Sequence, residues 1–165
     1  QQLAAGERLV VLMRHAQAAG GDPMHHDASG QCQGENMLTP RGQADAQTAG
    51  QRFAQHQVPV AQVIHSPMCR TRDTARLAFA GVATRSDPDL REIASADAAR
   101  RQAFLQSAAR LLREAPQRGV TVFVGHAPNL FELAMESVPQ GVGLVGRIDG
   151  EGEFSPLGRV RLNDQ

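Results

Sequence analysis

The chain has no lysine, no tryptophan and no tyrosine. All 17 basic residues are therefore arginine, and 17 acidic residues bring the formal net charge to zero. A neutral chain has no long-range attraction to nucleic acid or to an anionic membrane surface. The missing lysine reads as compositional bias, yet it has a chemical consequence. Any cationic cluster must be built from guanidinium groups, whose planar fork grips phosphate bidentately. Long apolar runs are also missing, and nothing approaches the roughly 18–20 residues that a membrane-spanning helix needs. No repeat, low-complexity block or linker divides the 165 residues. That length suits one domain with one sizeable core, expected over 1–165. The charged fraction of 21% beside 41% hydrophobic residues excludes a disordered chain.

Cysteine is scarce: Cys32 and Cys69 are the two present. They read equally well as unrelated thiols. The chain opens Gln1-Gln2-Leu3-Ala4-Ala5-Gly6-Glu7, without Met and without an apolar signal segment. This fits the trimmed end of a mature secreted protein as well as an arbitrary boundary. Together these features suggest an oxidising compartment, periplasmic or extracellular, with a disulfide as its companion. A cytoplasmic location is the alternative.

What is present alternates between two periodicities. Arg8 to Arg14 is a short continuous apolar run, the pattern of a strand buried on both faces. Residues 16–38 hold Gly20, Gly21, Pro23, Ser29, Gly30 and Gly34 and read as a long loop, more often functional than idle in a compact domain. Thr39-Pro40 signals a helix start, with Ala44, Ala46, Phe53 and Ala54 facing inward up to about Gln57. Val58–His65 is a second strand. Ser66-Pro67 repeats the cap-plus-proline signal before a helix reaching Phe79. A short strand near Val82–Arg85 leads to an Asp87-Pro88-Asp89 turn. Ala96 to Ala115 has Phe104, Leu105, Ala108, Leu111 and Leu112 at helical spacing. Gly119–Gly125 is a clear buried strand, followed by a helix from about Pro128 to Ser137. Strands near 142–148 and 157–162 pair as a hairpin. The pattern predicts an α/β domain with a mostly parallel central sheet, its core over about 8–137 and an edge hairpin over about 142–162.

Three of these strands close on the same kind of residue. Arg14-His15 follows the first, Arg70 lies just beyond Ser66-Pro67, and His126 follows Gly125. Ligands of parallel α/β sheets bind outside the carboxyl ends of strands, where helix N-termini also favour anions. Two arginines can grip phosphate oxygens, and their charge keeps a nearby imidazole neutral and nucleophilic. Taken singly, each residue could equally be surface decoration. Order and spacing give them weight.

That order resembles the histidine phosphatase superfamily, also called phosphoglycerate mutase-like, from about Arg8 to Asn129. Arg14-His15-Ala16 is similar to the family's Arg-His-Gly, and Leu38-Thr39-Pro40-Arg41-Gly42-Gln43-Ala44 to its helix start. Ser66 to Ala75 fits its Ser-x-x-x-Arg-x-x-x-Thr-Ala element. Leu90-Arg91-Glu92 fits its Leu-x-Glu, and Val124-Gly125-His126 is the Val-Gly-His form of small phosphohistidine phosphatases. The resemblance implies a three-layer α/β/α fold. It implies His15 as the phosphorylated nucleophile, with Arg14, Arg70 and His126 binding phosphate. Glu92 is implied as general acid, with Asp22, Asp89 and Asp97 as other candidates. No metal or organic cofactor is implied. Met24, His25, His26 and Cys32 match no standard metal-ligand spacing. Exported relatives carry cysteines at the places of Cys32 and Cys69, so a bond between them is expected to tie the long loop to the phosphate-binding helix. Ala16 replaces the usual Gly, which matters only if the backbone there needs positive φ.

The expected activity is phosphomonoester hydrolysis through phospho-His15, on a small or sugar-like phosphate. A protein-phosphohistidine phosphatase is the nearest alternative, and a non-catalytic phosphate-ligand binder is another. A mutase is disfavoured because the chain is short for the usual enclosing insertions. No nucleic-acid or membrane partner is expected, and oligomeric state is not legible.

Overall fold

Arg8–Arg14 forms β1, and its apolar residues divide between two cores. Val10 and Leu12 turn to one face, while Val11 and Met13 turn to the other. A computed structural model describes residues 7–163. The opening residues 1–6, on which part of the export expectation rests, lie outside them. After β1 come β2 (Ala18–Ala19), β3 (Met37–Leu38), α1 (Pro40–Gln55), β4 (Val60–His65) and α2 (Cys69–Ala78). Then follow β5 (Thr84–Ser86), a 3-10 turn at Pro88–Leu90, α3 (Ala98–Arg113), β6 (Val120–Gly125), α4 (Ala127–Ala134), β7 (Val142–Ile148) and β8 (Phe154–Arg161).

The six-stranded sheet runs β5-β4-β6-β1-β7-β8. The first four strands are mutually parallel; β7 runs antiparallel to β1, and β8 to β7. The expected hairpin thus forms one edge of a mostly parallel sheet. β8 begins at Phe154, three residues earlier than expected, and Pro156 is tolerated there because an edge strand has no outer ladder to complete. α3 and α4 pack Phe104, Ala108, Leu111, Leu112 and Leu130 on one face of the sheet. α1 and α2 pack Ala49, Phe53 and Ala75 on the other, giving three layers.

Local chemistry explains the helix boundaries and corrects several expectations. Thr39 caps α1 by accepting the Gly42 N–H at 3.0 Å, with Pro40 at the first helical position. Its buried residues are Gly42, Ala46, Ala49 and Phe53, a spacing of four, three and four. Ala44 lies half a turn from that stripe and Ala54 a quarter turn past Phe53, so both are exposed rather than inward. Gly42 is sterically required: a Cβ there would meet the Gln17 carbonyl, so the first turn of α1 seats directly against the segment after His15.

Ser66 is not the cap of α2. That helix starts at Cys69, with Met68 at the cap position and no side-chain cap bond. The Ser66 hydroxyl lies 2.9 Å from His126 Nε2, and its oxygen accepts the Met68 N–H. α4 starts earlier than expected and stops at Ala134, because Met135 takes a left-handed conformation at φ 56°. Residues 16–38 contain the short β2–β3 pair and a bridge between Asp22 and Glu35, so the loop is built rather than slack.

Candidate active site

The parallel strands β4, β6 and β1 end side by side. Arg14 is registered against Gly125, and His65 against Val124. The residues that leave these strands, His15, Ser66 and His126, therefore emerge along one sheet edge. The His15 backbone N–H donates to the Gly125 carbonyl at 3.0 Å, extending the ladder into the site.

His15 is held in one tautomer. Its Nδ1 lies 2.7 Å from the Ala16 carbonyl oxygen, which can only accept, so Nδ1 carries the hydrogen. Nε2 keeps its lone pair. Burial pushes the His15 pKa down to about 4, opposed by the Ala16 bond and aided by the lesser effects of the Arg70 and Arg14 charges. The ring is neutral at pH 7. The Ala16 N–H donates to Thr74 Oγ1 at 3.0 Å, and Thr74 donates to the Arg70 carbonyl at 2.7 Å. Thr74 thereby ties the end of β1 to α2. Among the described residues, positive φ at non-glycine positions occurs at Cys32, Gln57 and Met135, so Ala16 replaces Gly without backbone strain.

Around this ring the site holds hydrogen-bond donors with no protein acceptor. Among the described residues, Arg14 Nε, Arg70 Nη1 and His126 Nδ1 are buried without a partner. Buried polar groups are normally satisfied, so three such groups at one strand edge call for an anionic acceptor. Arg70 is 1% exposed, an extreme for a guanidinium. Its Nη2 donates to Glu92 Oε2 and to the Pro23 carbonyl, both at 2.8 Å. Burial lowers its pKa, opposed by the charges of Glu92 and Glu35. The His126 ring centroid stands 5.5 Å from that of His15. Burial, then the charges of Arg70, His15 and Arg14, holds His126 neutral, well below its ordinary pKa. The Ser66 hydroxyl, which accepts from Met68, can donate its hydrogen to His126 Nε2, and in that pairing the His126 hydrogen sits on Nδ1.

Of the candidate acids, Glu92 is the one joined to this cluster. Asp97 is occupied as the cap of α3, and Asp89 lies in the 3-10 turn, where its N–H donates to Asp87. Asp22 stands in the exposed loop, accepting the Met24 N–H. Among the described residues no group of His, Cys, Asp or Glu is placed to hold a metal ion. No described helix is long and apolar enough to cross a membrane.

Cys32 and Cys69 are bonded to each other, joining the long loop to the first residue of α2. A second tie was not legible in the sequence. The Glu35 side chain is buried, and Oε1 accepts the Cys69 N–H while Oε2 accepts the Asp27 N–H, both at 2.9 Å. His26 Nδ1 approaches Oε2 at 3.2 Å. An acidic residue at a helix N-terminus is favoured by the free N–H groups and the helix dipole. Thr74, Ser66 and Glu35 are thus parts of the site that residue type and local spacing alone do not mark, although Ser66 and Thr74 fall within a matched motif.

A family model described as histidine phosphatase superfamily (branch 1) matches residues 10–125. No curated protein matches the chain in sequence. Among solved structures, one proposed as the phosphohistidine phosphatase SixA of Nakamurella multipartitia superposes with a TM-score of 0.66 at 22% identity, over 96% of this chain and 98% of that one. The alpha-ribazole phosphatase of Shigella flexneri gives 0.63 at 19% identity, over 94% and 96%. Phosphoglycerate mutase of Plasmodium falciparum gives 0.60 at 14% identity, over 96% and 94%. At these identities the likeness is one of fold.

Proposed function

Since the chain belongs to the histidine phosphatase superfamily, we propose that it hydrolyses a phosphomonoester through a covalent phosphohistidine on His15. One observation carries the proposal: a buried imidazole, held neutral with its Nε2 lone pair free, stands among unpartnered donors of Arg14, Arg70 and His126.

The donors of Arg14, Arg70 and His126 take the phosphoryl oxygens and stabilise charge that builds in the transition state. His15 Nε2 attacks phosphorus, and the ester P–O bond breaks. Glu92, as carboxylic acid, gives its proton to the departing oxygen. The Glu92 carboxylate then takes a proton from water, whose oxygen attacks phospho-His15. The P–N bond breaks, its electron pair returns to Nε2, and inorganic phosphate leaves. Arg70 donates to Glu92 through Nη2 and keeps Nη1 for the phosphate, so one guanidinium serves both the acid and the anion.

The substrate is proposed to be a small phosphorylated molecule. The resemblance of fold to an alpha-ribazole phosphatase supports this. Phosphohistidine is the second reading, favoured by the Val124-Gly125-His126 motif and by the fold neighbour proposed as SixA. The Cys32–Cys69 bond supports a protein exported to an oxidising compartment.

The test is a panel of phosphorylated metabolites, sugars and phosphohistidine peptides, assayed for phosphate release. Release from at least one ester class is expected. Tight binding of these compounds without release from any would instead mark a non-catalytic binder.

A further inference from the structure

Asn129 is fully buried on α4, one turn beyond His126, and takes no part in the chemistry described above. Its side-chain Oδ1 accepts the Ile93 N–H at 3.2 Å. Its Nδ2 donates to the Arg91 carbonyl at 2.9 Å and to the Leu90 carbonyl at 3.4 Å. The orientation of the amide is fixed by these partners, since the flipped form would set donor against donor and acceptor against carbonyls. The bonds to Arg91 and Ile93 stand on either side of Glu92.

This bracket matters because the segment has no ladder of its own. Between the 3-10 turn ending at Leu90 and α3 starting at Ala98, no helix or strand satisfies the backbone. Leu90 and Ile93 anchor the segment through buried apolar side chains. Apolar packing fixes depth, but it does not set the direction in which the intervening residue leaves the backbone. Two hydrogen bonds from one rigid amide do. They refer Glu92 to α4, the helix that begins directly after His126, and so to the phosphate-binding cluster itself. Arg100 adds support from outside, donating to the carbonyls of Asp89 and Arg91. Asn129 alone among these two grips the N–H that follows Glu92.

We propose that Asn129 is a positioning residue for Glu92, holding the backbone on both sides of the acid and so setting how well the leaving group is protonated. This rests on the reading of Glu92 as general acid. A proton donor is useful only within hydrogen-bond reach of the leaving oxygen, and small misplacements are costly.

The experiment compares kcat/KM for phenyl phosphate, a poor leaving group, and dinitrophenyl phosphate, an activated one. It uses the unaltered protein, Asn129→Leu, Asn129→Ser, Glu92→Gln and the Glu92→Gln/Asn129→Leu double variant. Because kcat/KM reports the steps up to leaving-group departure, it isolates the acid's role. For Asn129→Leu we expect a loss of about tenfold or more on phenyl phosphate and less than about twofold on the dinitrophenyl ester, a part of the full contribution of a general acid. Inhibition by inorganic phosphate stays unchanged, because the phosphate donors are untouched. The double variant discriminates between the esters no more than Glu92→Gln alone. Asn129→Ser leaves room for a bridging water, preserves the fold if leucine does not, and shifts discrimination in the same direction. If Glu92→Gln discriminates and the Asn129 variants slow both esters equally, Asn129 is merely structural and the inference falls. If Glu92→Gln fails to discriminate, the acid assignment falls first and takes this inference with it.

Discussion

Glu35 accepts the backbone N–H of Cys69 at 2.9 Å, although 34 residues separate the two. The bond satisfies the first backbone N–H of α2, one residue before Arg70, and the same Cys69 is bonded through sulfur to Cys32. The Gly-rich loop and the helix that carries Arg70 are therefore fastened twice at one point. From the loop, the Pro23 carbonyl also accepts from Arg70.

Replacing Glu35 by Gln keeps one acceptor for Cys69 but turns a donor toward the Asp27 N–H. We expect a loss of about 1–3 kcal/mol in unfolding free energy, the cost of a buried group left unpaired. Apparent affinity for phosphate should fall as Arg70 loses its frame. Denaturant titration and phosphate inhibition check the pair of effects; unchanged values in both would show that Glu35 fastens nothing.

Opening the Cys32–Cys69 bond releases a long loop in the unfolded chain. For the 37-residue separation the chain-entropy estimate is about 4 kcal/mol of stability. Reduced protein, or Cys32→Ser with Cys69→Ser, should melt at lower temperature and bind phosphate more weakly. Mass measurement with and without reductant establishes the state of the bond in each sample. Two free thiols in the untreated protein would contradict the bonded pair.

Buried neutral His15 makes stability depend on pH in a defined sense. Its pKa is about 4 in the folded state against an ordinary 6.5, so between these values the unfolded chain binds a proton that the folded chain does not. Stability should therefore be complete above pH 6.5, decline as pH falls toward about 4 and level below it, by roughly 3 kcal/mol from this group. His126, also held below its ordinary value, adds in the same direction. In His15→Gln the decline should be shallower, as read by urea unfolding across this window. Parallel profiles for variant and parent would refute the assignment.

With positive charge supplied by Arg14, Arg70 and a donor on His126, phosphate release from a nitrophenyl ester should persist in excess EDTA. Activity abolished by chelation and restored by a divalent metal would contradict a metal-free mechanism.

The strands and helices were legible because their signals are local. The apolar run from Val10 to Met13 gives β1, Thr39-Pro40 gives the start of α1, and Phe104 to Leu112 gives the buried stripe of α3. The convergence of Arg14-His15 and His126 was legible too, because parallel strands must present their carboxyl ends on one side. Where reading failed, the deciding partner was distant. Ser66 looked like a helix cap until His126, 60 residues away, entered its surroundings. Glu35 sits in a polar loop where nothing nearby distinguishes it from Asp22 or Asp27. Asn129 meets Ile93 across 36 residues, a contact that exists only after the sheet has formed.

The most direct measurement of the central claim is mass-spectrometric mapping of phosphate on protein quenched during turnover of a phosphate ester, under conditions that preserve phosphohistidine. The expected result is phosphate on His15 in the parent protein, with neither label nor turnover in His15→Ala. Full turnover by His15→Ala, or phosphate carried by a different residue, would contradict it.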